Sequence, residues 1–253
     1  MREVLKIDGV WKGFDRGRDH VSVLEDITLT VGEGEIVAVV GSGGKGKTTL
    51  MRLASGTLPA DRGQVFVTGV DMAPLKDRDR QRLLASEVGI VTGAGPALPV
   101  CAREFVEMKA AAPKEGWRRL YPKRDRRRMT TAILDELDIA ECADMRWDEL
   151  SDWQRVIAEL AQAMVVRPRL LLLDAVADNF GLRQKQALMA VLENAVREHG
   201  CGVLMAAADH AVVLRSVRVW QLHRRRLNLW ASHDDAEDVE ADVIPLPKRR
   251  DAR

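Results

Sequence analysis

Short apolar runs rich in β-branched residues recur along the chain at residues 4–10, 27–31, 36–40, 65–67, 88–91, 170–173, 203–207 and 217–222, and each predicts a strand. Stretches with helical spacing fall between the later runs, at residues 48–54, 103–110, 126–137, 154–166 and 183–198. The run Leu170-Leu171-Leu172-Leu173 is apolar at every position, with no alternation. It therefore predicts a strand buried on both faces of a sheet. Strand–helix alternation of this kind predicts an α/β fold with a largely parallel core. The early strands are separated by Gly-rich turns and predict an antiparallel edge. No internal repeat is present.

Composition adds limits rather than an answer. The 253 residues are 46% hydrophobic and 30% charged, which excludes a wholly disordered chain. Lys plus Arg number 39 against 38 Asp plus Glu, a net charge of +1, which argues against a dedicated nucleic-acid binder. Cys101, Cys142 and Cys201 lie far apart with no Cys-x-x-Cys pair, which argues against a disulfide framework or zinc ribbon. The first residues are charged and show no signal-peptide pattern. The longest apolar tract, residues 202–214, is interrupted by Asp209 and His210 and is shorter than the roughly 20 apolar residues a spanning helix needs. A basic cluster (Arg118, Arg119, Lys123, Arg124, Arg126, Arg127, Arg128) is expected on a solvated helix face. Residues 231–253 carry almost no apolar content and are expected to form a charged, disordered tail.

The strongest chemical signal is Gly41-Ser42-Gly43-Gly44-Lys45-Gly46-Lys47-Thr48, which fits G-x-x-x-x-G-K-[ST] between a predicted strand and a predicted helix. Glycines allow consecutive backbone N–H groups to turn inward around a phosphate, and the helix start adds its positive dipole end. Lys47 is expected to reach the β- and γ-phosphates, and the Thr48 hydroxyl to ligate Mg²⁺. Asp174, ending the strand of Leu170–Leu173, is placed to hold the same ion. Nucleoside triphosphate binding follows.

With these residues in order, the chain resembles the nucleotide-binding subunit of an ATP-binding cassette (ABC) transporter, over roughly residues 4–230. The resemblance also rests on Val10-Trp11-Lys12-Gly13-Phe14, matching the family's aromatic loop, and on Leu150-Ser151-Asp152-Trp153-Gln154, at the place of the Leu-Ser-Gly-Gly-Gln signature. Residues 69–84 and Ala102-Arg103-Glu104 look most like the branch serving lipoprotein release, macrolide export and cell-division permeases. The resemblance implies a P-loop NTPase (RecA-like) α/β core with an antiparallel β edge subdomain and an α-helical subdomain inserted at about residues 94–153. It implies an ATP site built from Phe14, Gly41, Ser42, Gly43, Gly44, Lys45, Gly46, Lys47, Thr48 and Thr49, with Thr48 and Asp174 on Mg²⁺. Ser151 and Gln154 would serve the ATP site of a partner subunit. The implied partners are a transmembrane permease and another ABC ATPase subunit, with no nucleic acid, and the implied location is the inner face of the cell membrane.

The departures from the family pattern carry the most information. The Glu that follows the Walker B Asp in the family falls on Ala175, the switch His on Ala208, the Gln after the strand at 88–91 on Gly93, and the D-loop Asp on Gly181. The two signature glycines are Asp152 and Trp153. Losing a general base costs about 10²–10⁴-fold in rate. Asp152 beside a γ-phosphate would be repelled by on the order of several kcal/mol unless it turns away. Ser151-x-x-Gln154 also reads as a capping box with no catalytic duty. His210 would replace the switch His only if its strand slipped by two residues, and Glu159 and Asp178 are the nearby carboxylates a competent enzyme would have to use. The expectation is a degenerate subunit that binds ATP·Mg²⁺, hydrolyses it weakly or not at all, and pairs with a second, different ATPase. The alternatives are a competent ATPase working as a homodimer and a non-transport ATP-sensing module. The GTPase base-reading motif Asn-Lys-x-Asp is absent.

Overall fold

The computed structural model describes residues 2–17, 19–96, 99–111, 121–208 and 217–231. Arg118, Arg119, Asp209, His210 and the tail from residue 232 lie outside the described residues.

The amino-terminal strands alternate in burial, as a sheet covered on one face requires. Strands β1 (Glu3–Arg16) and β2 (Asp19–Gly32) pair antiparallel, and β4 (Arg62–Val67) and β5 (Val70–Asp71) complete a four-stranded sheet of order β2-β1-β4-β5. The second sheet has six strands in the order β10-β9-β3-β8-β7-β6. Its members are β3 (Ile36–Val40), β6 (Val88–Val91), β7 (Leu170–Asp174), β8 (Gly202–Ala207), β9 (Val217–His223) and β10 (Arg226–Ala231). Strands β9, β3, β8, β7 and β6 run parallel, and β10 is antiparallel to β9.

The continuous apolar runs have a direct explanation. Ile36, Ala38, Leu171, Leu173, Val203 and Met205 pack into one core with helices α3 (Ala102–Ala110), α4 (Lys123–Glu136), α5 (Asp152–Met164) and α6 (Leu182–His199). Val37, Val39, Leu170, Leu172, Leu204 and Ala206 pack into a second core with β1, β2, β4 and helix α1 (Lys47–Ala54). Each of these three strands thus faces a core on both sides.

Three elements were not predicted from the hydrophobic pattern: the two-residue strand β5, helix α2 (Asp77–Glu87) and strand β10. Helix α2 fully buries none of its residues, and only Leu83 and Leu84, half-buried, pack against the core; it carries the i,i+3 pairs Asp77–Arg80 and Asp79–Arg82 at 3.1 and 3.3 Å. Strand β10 follows a two-residue turn in which Arg224 and Arg225 both take positive φ (46° and 72°). Such turns are normally announced by Asn or Gly. Here Glu25 holds the turn instead, with its carboxylate 2.7 Å from the Arg225 guanidinium and its N–H donating to the Arg225 carbonyl at 2.9 Å. No helix among the described residues is long and apolar enough to cross a membrane.

Candidate functional site

The loop from Gly41 to Gly46 joins the carboxyl end of β3 to the start of α1. Gly46 caps α1 with φ 103°, and a β-carbon there would lie 3.0 Å from Val23 Cγ1 and 3.1 Å from Leu24 Cδ2. Only glycine fits that conformation against strand β2. No side chain caps α1 and no acid lies in its first turn, so its free N–H groups face the loop without competition. Lys47 is 7% exposed, and its ammonium donates to the carbonyl oxygens of Gly41 and Ser42 inside the loop. Ser42, Gly43, Gly44 and Lys45 are exposed at the loop's rim, Gly44 with φ 72°. A glycine-rich loop around a lysine ammonium, at an uncapped helix start, has the chemistry of a phosphate cradle.

Thr48 Oγ1 donates to Asp174 Oδ1 at 3.3 Å across 126 residues of sequence. A hydroxyl and a carboxylate brought together beside the cradle suit a hard divalent cation shared with phosphate oxygens. Among the described residues no three His, Cys, Asp or Glu side chains gather as a metal site. A cation here would take its remaining ligands from water or from phosphate oxygens.

Ala175 follows Asp174 directly, in a left-handed conformation (φ 58°), and its N–H donates to the Ala206 carbonyl at 3.1 Å. Its side chain is a methyl group and supplies no base. Ala208 is exposed at the end of β8, and its N–H donates to Asp178 Oδ1 at 2.8 Å. Asp178 thus ties the ends of β7 and β8 together.

Phe14, with 43% of its surface exposed, pairs with Val21 on the β1–β2 hairpin, the same hairpin whose Val23 and Leu24 abut Gly46. A contact the sequence does not announce pins this hairpin: Asp61 accepts from the Gly13 N–H at 2.7 Å and from the Lys12 ammonium at 2.5 Å. Lys12 also lies 5.5 Å from the centre of the Phe14 ring. Partial burial pushes the Asp61 carboxyl up, but the Lys12 and Gly13 hydrogen bonds and the Lys12 charge outweigh it and hold it below its usual range.

At the start of α5 the Ser151–Gln154 capping box forms: Gln154 N–H donates to Ser151 Oγ at 3.3 Å and Ser151 N–H donates to Gln154 Oε1 at 2.9 Å. Gln154 Nε2 also reaches Cys142 Sγ at 2.9 Å. Asp152 points to Arg155, 3.5 Å away on its own helix. Trp153 is half-buried with its ring 5.7 Å from that of Phe180, a contact within one chain. Gly181, the N-cap of α6, accepts no side chain of its own and donates its N–H to Gln184 Oε1 at 3.3 Å. Gly93 lies in the loop after β6, where the buried carboxylate of Glu159 accepts its N–H at 2.8 Å. The sequence shows Glu159 as a charge on an apolar helix face, which is the one signal that it has a buried partner.

A family model described as "ABC transporter" matches residues 24–177. The lipoprotein-releasing system ATP-binding protein LolD of Cereibacter sphaeroides is 31% identical over 229 residues, 90% of this chain and 100% of that protein. Its counterpart LolD 1 of Caulobacter vibrioides is 29% identical over 228 residues, 90% of this chain and 95% of that protein. Among solved structures, the dimeric ATP-binding cassette MJ0796 in a post-hydrolysis state bound to ADP and phosphate superimposes with a TM-score of 0.79 at 21% identity, covering 88% of this chain and 96% of that one.

Proposed function

The chain belongs to the ABC transporter family, and from that membership we propose that it is an ATP-binding subunit which holds ATP·Mg²⁺ but turns it over weakly or not at all, paired with a second, different ATPase subunit and a membrane permease. One juxtaposition carries this reading: the Thr48–Asp174 pair at 3.3 Å beside the phosphate cradle, next to a methyl side chain at Ala175. The cradle N–H groups and Lys47 would bind the phosphates, Phe14 would stack on the base, and Thr48 and Asp174 would hold the cation. Magnesium, when bound, would neutralise phosphate charge. Nothing at positions 175 or 208 can orient an attacking water, since both side chains are methyl groups.

The same reading assigns residues 1–230 to the cassette, with a helical subdomain at about 94–153, and residues 231–253 to a tail. It places the subunit on the cytoplasmic face of a membrane. Because relatives named for lipoprotein release align over nearly their whole length, lipoprotein is the first cargo class to test. Asp152, turned toward Arg155, and Trp153, packed on Phe180, leave the signature position a poor completion of a partner's ATP site. That favours pairing with a different cassette over a homodimer with two weak sites.

Asp178 supports the alternative of a competent ATPase, since its carboxylate lies between the ends of β7 and β8. Its bond to the Ala208 N–H commits one oxygen to the backbone. Titration with a fluorescent ATP analogue tests binding: the wild type binds with Mg²⁺ and Lys47→Ala binds at least about 100-fold more weakly, as loss of a phosphate-binding cation predicts. Co-expression with candidate ATPase and permease chains tests pairing; a stable homodimer that excludes other cassettes would overturn it.

A further inference from the structure

The loop following β6 wraps a buried carboxylate. Glu159 is 4% exposed on α5 and accepts three backbone N–H groups: Thr92 at 2.9 Å and Gly93 at 2.8 Å on Oε2, and Gly95 at 2.7 Å on Oε1. Gly93 and Gly95 take positive φ (74° and 67°), a backbone shape that turns successive N–H groups toward one anion. The Ala94 N–H closes the loop on Thr92 Oγ1 at 3.3 Å. Trp147 covers the far side, since a β-carbon on Gly95 would lie 2.5 Å from its Nε1. The position matters because Val91 pairs with Leu173, so Thr92 stands level with Asp174 in the adjacent strand. At its other end, α5 begins at Ser151.

We propose that Glu159 is a positioning residue that locks the loop at residues 92–95 onto α5 whether or not nucleotide is bound. The backbone beside Asp174 and the helix that starts at Ser151 then move as one body. This rests on the nucleotide-binding reading above for its role, and on geometry alone for the lock. Opening the loop would strip a buried carboxylate of all three donors at once, and bonds to an ionised acceptor are roughly twice as strong as neutral ones. The Gln that would respond to nucleotide from this loop in the resembling family falls on Gly93, so that position has no side chain to read the site. Glu159 supplies a fixed tether in its place.

Amide hydrogen exchange read by NMR, on the full chain with and without ATP·Mg²⁺, tests this. In the wild type the Thr92, Gly93 and Gly95 amides exchange slowly without nucleotide, and ATP·Mg²⁺ changes their rates by less than about twofold. In Glu159→Gln the same amides exchange at least about tenfold faster and become nucleotide-dependent. Fast exchange in the nucleotide-free wild type, protected only on adding ATP·Mg²⁺, would overturn the lock; so would unchanged exchange in Glu159→Gln. If that variant does not fold, the wild-type pair of measurements decides. ATP titration on the same sample separates the two claims: slow amides with no ATP binding would uphold the lock and sink the nucleotide reading.

Discussion

Gly46, Lys47, Thr48 and Asp174 are each placed by a different physical constraint. Gly46 sits at φ 103° against Val23, so Gly46→Ala forces the loop away from β2 and costs about 1–3 kcal/mol. The expected result is a lower Tm together with weakened ATP binding. The Asp61 pin gives a pH signature. Its carboxyl is held below the usual 3.8, so the pin stabilises the hairpin above that value and is lost as pH falls through the folded value. Melting followed on acidification should show the wild type losing Tm faster than Asp61→Asn below pH 3.8; parallel curves would show that the pin does not titrate in folding. Cys201 is 1% exposed, and burial pushes its thiol up to about 11. Iodoacetamide at neutral pH should therefore modify half-exposed Cys101 and spare Cys201, as peptide mass mapping would report.

Among the elements, β3, β7 and β8 were legible in the sequence because burial on both faces removes polar residues from the whole run. The phosphate loop was legible because its chemistry is local: glycines, a lysine and a threonine within eight residues. Helix α2 escaped the pattern because only Leu83 and Leu84, half-buried, pack against the core and none of its residues is fully buried, and β10 because its turn is held by Glu25, far away in sequence, rather than by turn residues. The same separation hid the rest of the site. Glu159 reaches Gly93 across 66 residues and Asp61 reaches Gly13 across 48, distances at which residue type alone does not identify a partner. The sequence did expose the Ser151–Gln154 capping box. Ser151→Ala should lower stability by about 1 kcal/mol in a denaturant titration. Leu172→Ala, in the fully packed β7, should cost about 2–5 kcal/mol. Equal losses for the two would contradict the two-sided burial of β7.

Over the whole molecule, the six-stranded sheet divides the interior into two cores, and the loop after β3, Asp174 at the end of β7, and the residues following β6 and β8 lie at the carboxyl ends of its parallel strands. That is where open α/β sheets place ligands. The cradle after β3 and the carboxylate after β7 are intact, whereas the positions after Asp174 and β8 carry methyl groups. On the proposed reading, binding and hydrolysis come apart by the loss of side chains, with no loss of fold. The central claim is tested most directly by following bound ATP on the purified chain with Mg²⁺ present, using Lys47→Ala as the reference. The account predicts nucleotide that binds to the wild type and is recovered intact, with phosphate release no faster than from Lys47→Ala; steady phosphate release that Lys47→Ala abolishes would contradict it.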